Sequence, residues 1–337
     1  MVATSVATVF LNSWRSRFRS PPENKSAPRF AAAAAAADPA RVVESLRANG
    51  FLRLDGVLSA TTCKAVLTHA AGELAAALAA VRSGRVPAAE KFAEHLLIGE
   101  QAGKRHDVKL SLTAPVVCSA IREALHSLRG VYAASLGSGA GLFELSCITS
   151  DPGTPEQALH ADFADWPPAS EADADGEDVG PMALVLFVAL EHVSLRMGPT
   201  RFVPGSHTRA YHWQREHAAF EEGGEARRSV APLLRRGDAV LMDAACLHGG
   251  GANTLKPRAI FHLSFCRDGF APSGFASYAQ SLSAESEAPA TGAAGCEEHG
   301  EHEAALRRRM QPQKRHRLDQ TDSWLGGAVS VSAVSVS

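Results

Sequence analysis

Hydrophobic positions along the 337-residue chain follow two patterns, and the change falls near Gly130. Before it, apolar residues recur at helical spacing. Asp38 can cap a helix whose first turn holds Pro39 and whose apolar stripe is Val42, Val43 and Leu46, and Gly50 stops it. Phe51-Leu52-Arg53-Leu54 alternates as a short strand. Ser59 opens a second, alanine-rich helix that can run to Gly84, and Ala114-Pro115 opens a third that ends at Gly130. After Gly130, short apolar segments at 141–148, 181–190, 201–203, 238–242 and 259–265 alternate with Gly/Pro turns. That succession predicts a β-sandwich or barrel covered on one face by helices.

The flanks carry no such periodicity. The first 22 residues contain no acid, and Arg15, Arg17 and Arg19 lie among Ser, Ala and Val, which fits an organelle transit peptide as well as a disordered leader. The alanine run 31–37 offers a helix no polar face and reads as a linker. Residues 281–303 are Ala/Ser/Glu-rich, 307–317 are basic and 326–337 alternate Val with Ser, so the basic stretch reads as part of a solvated tail rather than a nuclear signal. The division is a leader at 1–37, one folded domain at 38–275 and a low-complexity tail at 276–337.

Charge and cysteine content narrow the classes. Thirty-four basic against 36 acidic residues leave a net charge of −2, which gives no electrostatic basis for a nucleic-acid or anionic-membrane partner. No uninterrupted apolar run approaches the ~18–20 residues of a membrane span. The six cysteines are widely spaced with no C-x-x-C, which argues against a disulfide framework or zinc ribbon and for a reducing, intracellular compartment. That compartment is the cytoplasm, or a mitochondrion or plastid if the leader is a transit peptide.

Four features in order carry the candidate chemistry: Gln157-Ala-Leu-His160-Ala-Asp162, then Gly198-Pro-Thr-Arg-Phe-Val-Pro-Gly-Ser-His207, then Gly237-Asp238 leading to His248, and finally Arg258. Two imidazoles and one carboxylate can occupy one face of an octahedral ion and leave the opposite positions open. On a strand, His160 and Asp162 would project to the same side, with His248 as the distant third ligand. An H-x-D alone says little, since His106-Asp107 and Glu301-His302-Glu303 look equally metal-like. The trio gains weight because His248 follows an apolar strand and opens Gly249-Gly250-Gly251, where backbone can approach a bound group closely.

These motifs together resemble the phytanoyl-CoA dioxygenase family of Fe(II)/2-oxoglutarate-dependent oxygenases. The matching text is Q-x-x-H-x-D at 157–162, G-P-T-R-F-V-P-G-S-H at 198–207 and G-D-A-V-L-M-D to H-G-G-G-A-N from Gly237 to Asn253, closing on Arg258. Residues 50–58 are also similar to the family's first strand and turn, so the likeness covers about 41–267. It implies a mainly β fold with flanking helices, a double-stranded β-helix (jelly-roll, cupin-like) barrel. It implies iron held by His160, Asp162 and His248, with Arg258 forking onto the distal carboxylate of 2-oxoglutarate, a match a lysine does not offer. Gln157 would lie near the cosubstrate. A hydroxyl common two residues beyond the arginine is replaced here by Ile260, which points to Thr200 or Asn253 as the polar neighbour instead. Pro204-Gly205-Ser206-His207 reads as a turn, with His207 outside the ligand set.

The resemblance further implies hydroxylation of a small-molecule substrate coupled to conversion of 2-oxoglutarate and O2 to succinate and CO2, with ascorbate as a reductant. Asp162 favours hydroxylation, because halogenating relatives lack that carboxylate. Phe163, Trp166 and Pro167-Pro168 are candidate pocket walls, and the acidic insert 171–178 is a candidate lid or a solvated loop. Arg105 and Lys109 lie in an alternating segment before the barrel and are candidates to meet an anionic substrate, although such charges usually face solvent. A silent 2-oxoglutarate-binding sensor and a jelly-roll metal protein that uses no 2-oxoglutarate stay open. The pattern selects no substrate, acyl-CoA included, and no oligomeric state.

Overall fold

The computed structural model describes residues 26–92, 104–163, 180–217, 224–267 and 270. Its first elements lie where a leader and linker were expected. Arg29–Ala31 (β1) pairs in parallel with Phe51–Asp55 (β2), and Ala32–Ala37 (α1) buries Ala32 and Ala35. The alanine run needs no polar face: its small side chains let it lie close against the long helix Pro115–Leu136 (α5). Residues 1–25 and the tail from 271 lie outside the described residues.

Pro39–Asn49 (α2) forms as its sequence predicts. Asp38 accepts the Arg41 N–H at 3.2 Å, Gly50 ends the helix in the left-handed region at φ 80°, and Val42, Val43 and Leu46 are buried. The second helix is Ala60–Arg82 (α3), capped by Ser59, and a short Ala88–Lys91 (α4) follows. An 18-residue window of α3 has a mean hydropathy of 1.2, enough by length and composition to cross a membrane, while Cys63, Val66, Ala70 and Ala77 along it are buried in the domain. Helix α5 continues past Gly130, where an end was expected. The missing side chain there is what admits the Pro39 ring, since a Cβ at 130 would lie 2.7 Å from Pro39 Cγ. The helix ends instead at Gly137.

The remaining strands are Arg105–Lys109 (β3), Gly141–Ser150 (β4), Ala183–Ala189 (β5), Thr200–Phe202 (β6), Ala239–Asp243 (β7), His248–Gly250 (β8) and Arg258–Cys266 (β9). Arg209–His217 (α6) and Gly224–Arg228 (α7) lie between β6 and β7. A seven-stranded sheet runs β1-β2-β7-β5-β9-β4-β3, antiparallel except at β1–β2, and β6 and β8 form a separate pair. Beyond that pair, backbone bridges join His160 to His248 on one side and Phe202 to Val230 on the other, so the small sheet is wider than its two named strands.

The large sheet is covered on both faces, which is why every residue of β5, β7 and β9 is buried and their sequences read as near-continuous apolar runs. Leu52, Leu186, Leu241, Phe261 and Leu263 point into the helical layer. Phe51, Val185, Phe187, Met242 and Ile260 point the other way, toward Phe202 of the small sheet. Phe51 stacks on Phe202 with ring centroids 4.8 Å apart, tying the two sheets together.

The Gly237-Asp238 step is a structural joint. Gly237 O accepts the Val57 and Leu58 N–H groups at 2.8 and 3.1 Å, and Asp238 pairs with Arg53 at 2.7 Å while accepting the Gly56 N–H. Gly237 has φ 84°, and a Cβ there would overlap the Leu58 carbonyl oxygen. Gly237→Ala is therefore expected to cost about 2–3 kcal/mol in chemical denaturation, from left-handed strain plus a backbone clash. Removing residues 1–37 is expected to lower stability by about 2 kcal/mol through lost burial of α1 and Phe30, and a truncated chain of unchanged stability would show that β1 and α1 contribute nothing.

Candidate metal centre and pocket

The chain crossing at residues 157–160 pairs with β8 and builds the centre. His160 N–H donates to His248 O at 2.9 Å and His248 N–H returns to His160 O at 2.8 Å, which sets the two imidazoles 4.6 Å apart. His160 Nδ1 lies 2.9 Å from Ala158 O, and His248 Nδ1 lies 3.1 Å from Cys246 O. A carbonyl oxygen only accepts, so each Nδ1 carries the proton and each Nε2 presents its lone pair. Both lone pairs meet Asp162: its Oδ1 is 3.8 Å from His160 Nε2 and 3.5 Å from His248 Nε2. One ligand atom from each of the three residues lies within 4.8 Å of the others. Burial holds the His248 imidazole below its ordinary pKa, which favours the neutral, ligating form. His160 sits in a single bridge and Asp162 in a bend beyond it, rather than both on one strand.

Arg258 opens β9 and is 2% exposed. Strand register aligns Arg105 with Ser150 and Ser150 with Arg258. Arg258 Nη1 donates to Gly198 O and Nη2 to Ser150 Oγ at 3.2 Å, while its Nε is buried without a hydrogen-bond partner. Arg105 Nε also reaches Ser150 Oγ at 3.2 Å. Among the described residues no carboxylate pairs with Arg258. Burial and the neighbouring Arg105 pull its pKa down to about 10, the mark of a cation held where an anion would be welcome. Ile260 offers Arg258 no hydroxyl, and Ser150 on the neighbouring strand places one beside it. Arg105, a candidate from sequence to meet an anion or else to face solvent, is 6% exposed and lines the same pocket.

The other candidates divide. Thr200 and Gln157 line the pocket, and the Gln157 Oε1 accepts the Gly250 N–H at 2.9 Å. A side chain at 250 would collide with that oxygen at 2.8 Å and with Arg105 Nη2 at 2.9 Å, which explains a glycine there. Asn253 is fully buried in the following turn. Its Nδ2 donates to Ser150 O and Lys256 O at 2.7 and 2.8 Å and its Oδ1 accepts the Leu255 N–H, so it braces the backbone instead of facing the pocket. His207 lies away from the triad, with Nε2 3.0 Å from Arg47 O, and Ser206 accepts the Leu247 N–H at 2.8 Å, holding the chain just before His248. Phe163 lines the pocket, whereas Trp166, Pro167, Pro168 and the insert 171–178 belong to a stretch outside the described residues.

The pocket has a volume of about 270 Å³ and holds the triad, Arg258 and Arg105 together. A second polar group lines it: Asp107, Glu144, His262 and Ser264, with Ser146 beside His262. Ser264 O–H donates to Glu144 at 2.6 Å, Ser146 Oγ is 3.0 Å from His262 Nδ1, and Phe187 stacks on the His262 ring at 5.2 Å. Burial raises both the Asp107 and the Glu144 carboxyl above the usual carboxylate range.

Comparison with known proteins bears on the same residues. Residues 46–259 match the phytanoyl-CoA dioxygenase (PhyH) family. Over 106 residues the chain is 32% identical to "Dioxygenase cnsJ" of Penicillium expansum, a match that covers 31% of this chain and 29% of that protein, under a third of its length. Among solved structures, the epimerase SnoN in complex with Fe3+, alpha ketoglutarate and nogalamycin RO shares 22% identity over 77% of this chain and 93% of its own, with a TM-score of 0.47. HygX from Streptomyces hygroscopicus, with nickel and 2-oxoglutarate bound, shares 17% identity over 69% and 88%, with a TM-score of 0.46. The family match runs from the end of α2 to the start of β9 and takes in His160, Asp162, His248 and Arg258, and on that match the chain belongs to the phytanoyl-CoA dioxygenase family.

Proposed function

We propose that this protein is a non-haem Fe(II)- and 2-oxoglutarate-dependent dioxygenase that hydroxylates a small organic substrate, with 2-oxoglutarate converted to succinate and CO2. The observation that carries the reading is a single pocket with two complementary sites: two imidazole lone pairs and a carboxylate aimed at one point, and a buried guanidinium with no carboxylate partner among the described residues. Membership of the PhyH family supports it. The large sheet and the facing β6–β8 pair, widened by residues 157–160 and Val230, are read as the two halves of a jelly-roll barrel.

The donor set fits a ferrous ion: two neutral imidazole nitrogens and one carboxylate oxygen would hold it on one face. Arg258 would hold the distal carboxylate of 2-oxoglutarate through its planar fork, with the Ser150 hydroxyl beside it and Thr200 on the same wall. When bound, iron and 2-oxoglutarate supply dioxygen activation and the oxidising equivalents. The chain supplies placement. The backbone carbonyls of Ala158 and Cys246 fix both imidazole tautomers, and Phe187 and Phe202 pack beside the His248 ring with centroids 5.9 and 6.1 Å away, keeping water from that ligand. Asp162 fills the third ligand position with a carboxylate, which favours hydroxylation over halide incorporation.

Anaerobic addition of Fe(II) and 2-oxoglutarate is expected to give a weak visible charge-transfer band, and oxygen is then expected to yield succinate; no band would overturn the assignment. Asp162→Ala is expected to lower succinate formation by more than about a hundredfold, beyond the ~10–100-fold typical of losing an outer partner of a metal ligand. Cosubstrate contacts are expected to show in KM. Arg258→Lys should raise the KM for 2-oxoglutarate by about 10–100-fold through loss of the two-pronged contact, and Ser150→Ala by about three- to tenfold through loss of one hydrogen bond. A Ser150→Ala enzyme with unchanged KM would remove Ser150 from the cosubstrate site.

A further inference from the structure

Strand register lays the pocket wall out in rows. The Arg105–Ser150–Arg258 row stands at one end, then Ile148 beside Ile260, then Ser146 beside His262 and Phe187, then Glu144 beside Ser264 and Val185. Successive rows are two residues apart, about 7 Å, so Glu144 lies roughly 20 Å along the strand from Ser150. A five-carbon keto-diacid gripped at Arg258 cannot reach that far. The acidic end therefore faces whatever shares the pocket with it.

Two observations in the pocket point to a ligand rather than to structure. Asp107, in the Ile148 row between the two ends, is 5% exposed, lines the pocket, and its Oδ1 is buried without a hydrogen-bond partner. No lysine or arginine forms an ion pair with Asp107 or Glu144 among the described residues; the basic groups acting on them are His262, 3.7 Å from Glu144, and Lys109, on the Asp107 strand. Phe143 and Phe163 add apolar surface to the same pocket.

We propose that Glu144 and Asp107, with His262 beside them, bind a cationic head group, so that the substrate is a small amine with an apolar body. This rests on the reading that Arg258 takes 2-oxoglutarate and the triad takes iron. An ammonium carries charge and three donors, enough to bond Glu144 while its charge also favours Asp107 two rows away, whereas an alcohol carries one donor and no charge. The phenylalanine faces suit a cation as well. An anionic head, such as the phosphates of an acyl-CoA, would meet like charge at this end.

The test is calorimetric titration of the full-length protein, anaerobic with Fe(II) and saturating 2-oxoglutarate, with phenylethylamine, phenylethanol and phenylpropionate as matched probes. The amine is expected to bind at least about tenfold tighter than either partner, and that preference is expected to fall by about tenfold in Glu144→Gln or Asp107→Asn, whose side chains keep their size. An amine that binds no tighter than the other two, including no measurable binding of any probe, overturns the proposal. So does a preference that survives both substitutions. The iron–2-oxoglutarate band is read in the same wild-type samples. A band without amine preference removes the amine site alone, and amine preference without the band upholds the acidic site while removing the iron reading.

Discussion

Two reciprocal backbone hydrogen bonds between His160 and His248 carry the geometry on which the site depends. They belong to a narrow strand pairing, and they bring together two ligands that lie far apart in the chain. The side chains then have little freedom, because each Nδ1 is tied to a carbonyl within two residues of its own backbone. The metal-binding face is thus fixed by main-chain contacts, and these depend on Ser206 holding Leu247 and on the glycines at 249 and 250 letting residues 157–158 approach closely.

The rest of the pocket is an arrangement of charge on an otherwise apolar platform. Strands β4 and β9 lie inside the sheet with both faces covered, and burying an ion there costs several kcal/mol unless it is compensated. Even so, the inner face carries Arg258 at one end and Glu144 at the other, separated by Ile148 and Ile260. The outer face of the same strands, with Leu145, Cys147, Phe261 and Leu263, is apolar against the helices. The polar residues are confined to the cavity side, where a bound molecule can supply the missing partners, and the two ends carry opposite signs.

The helical layer has a simpler task. Helices α2, α3 and α5 cover the outer face with aliphatic side chains, and α1 and β1 extend that cover beyond the domain edge that the sequence pattern marks. Gly130 lets Pro39 of α2 settle against α5, and the Gly237–Asp238 joint ties β2 to the turn before β7. None of these groups lines the pocket; they pack against the opposite face of the sheet that carries the side-chain rows.

The sequence by itself determined the helices from Asp38 to Gly50 and from Ser59 onward, because caps, a first-turn proline and apolar spacing are local signals. It also marked five of the six strands that follow Gly130, all but β8, and it marked His160, Asp162, His248 and Arg258, because their residue types and order form one motif. Tertiary structure decided the rest. The alanine run could be read as linker or helix, and only its contact with α5 settled it; Gly130 could end a helix or admit a neighbour, and only Pro39 showed which. Ser150, Arg105, Glu144 and Asp107 carry no motif at all. They gain meaning from pairing across β3, β4 and β9, and cross-strand register joins residues far apart in the chain, which local pattern does not encode.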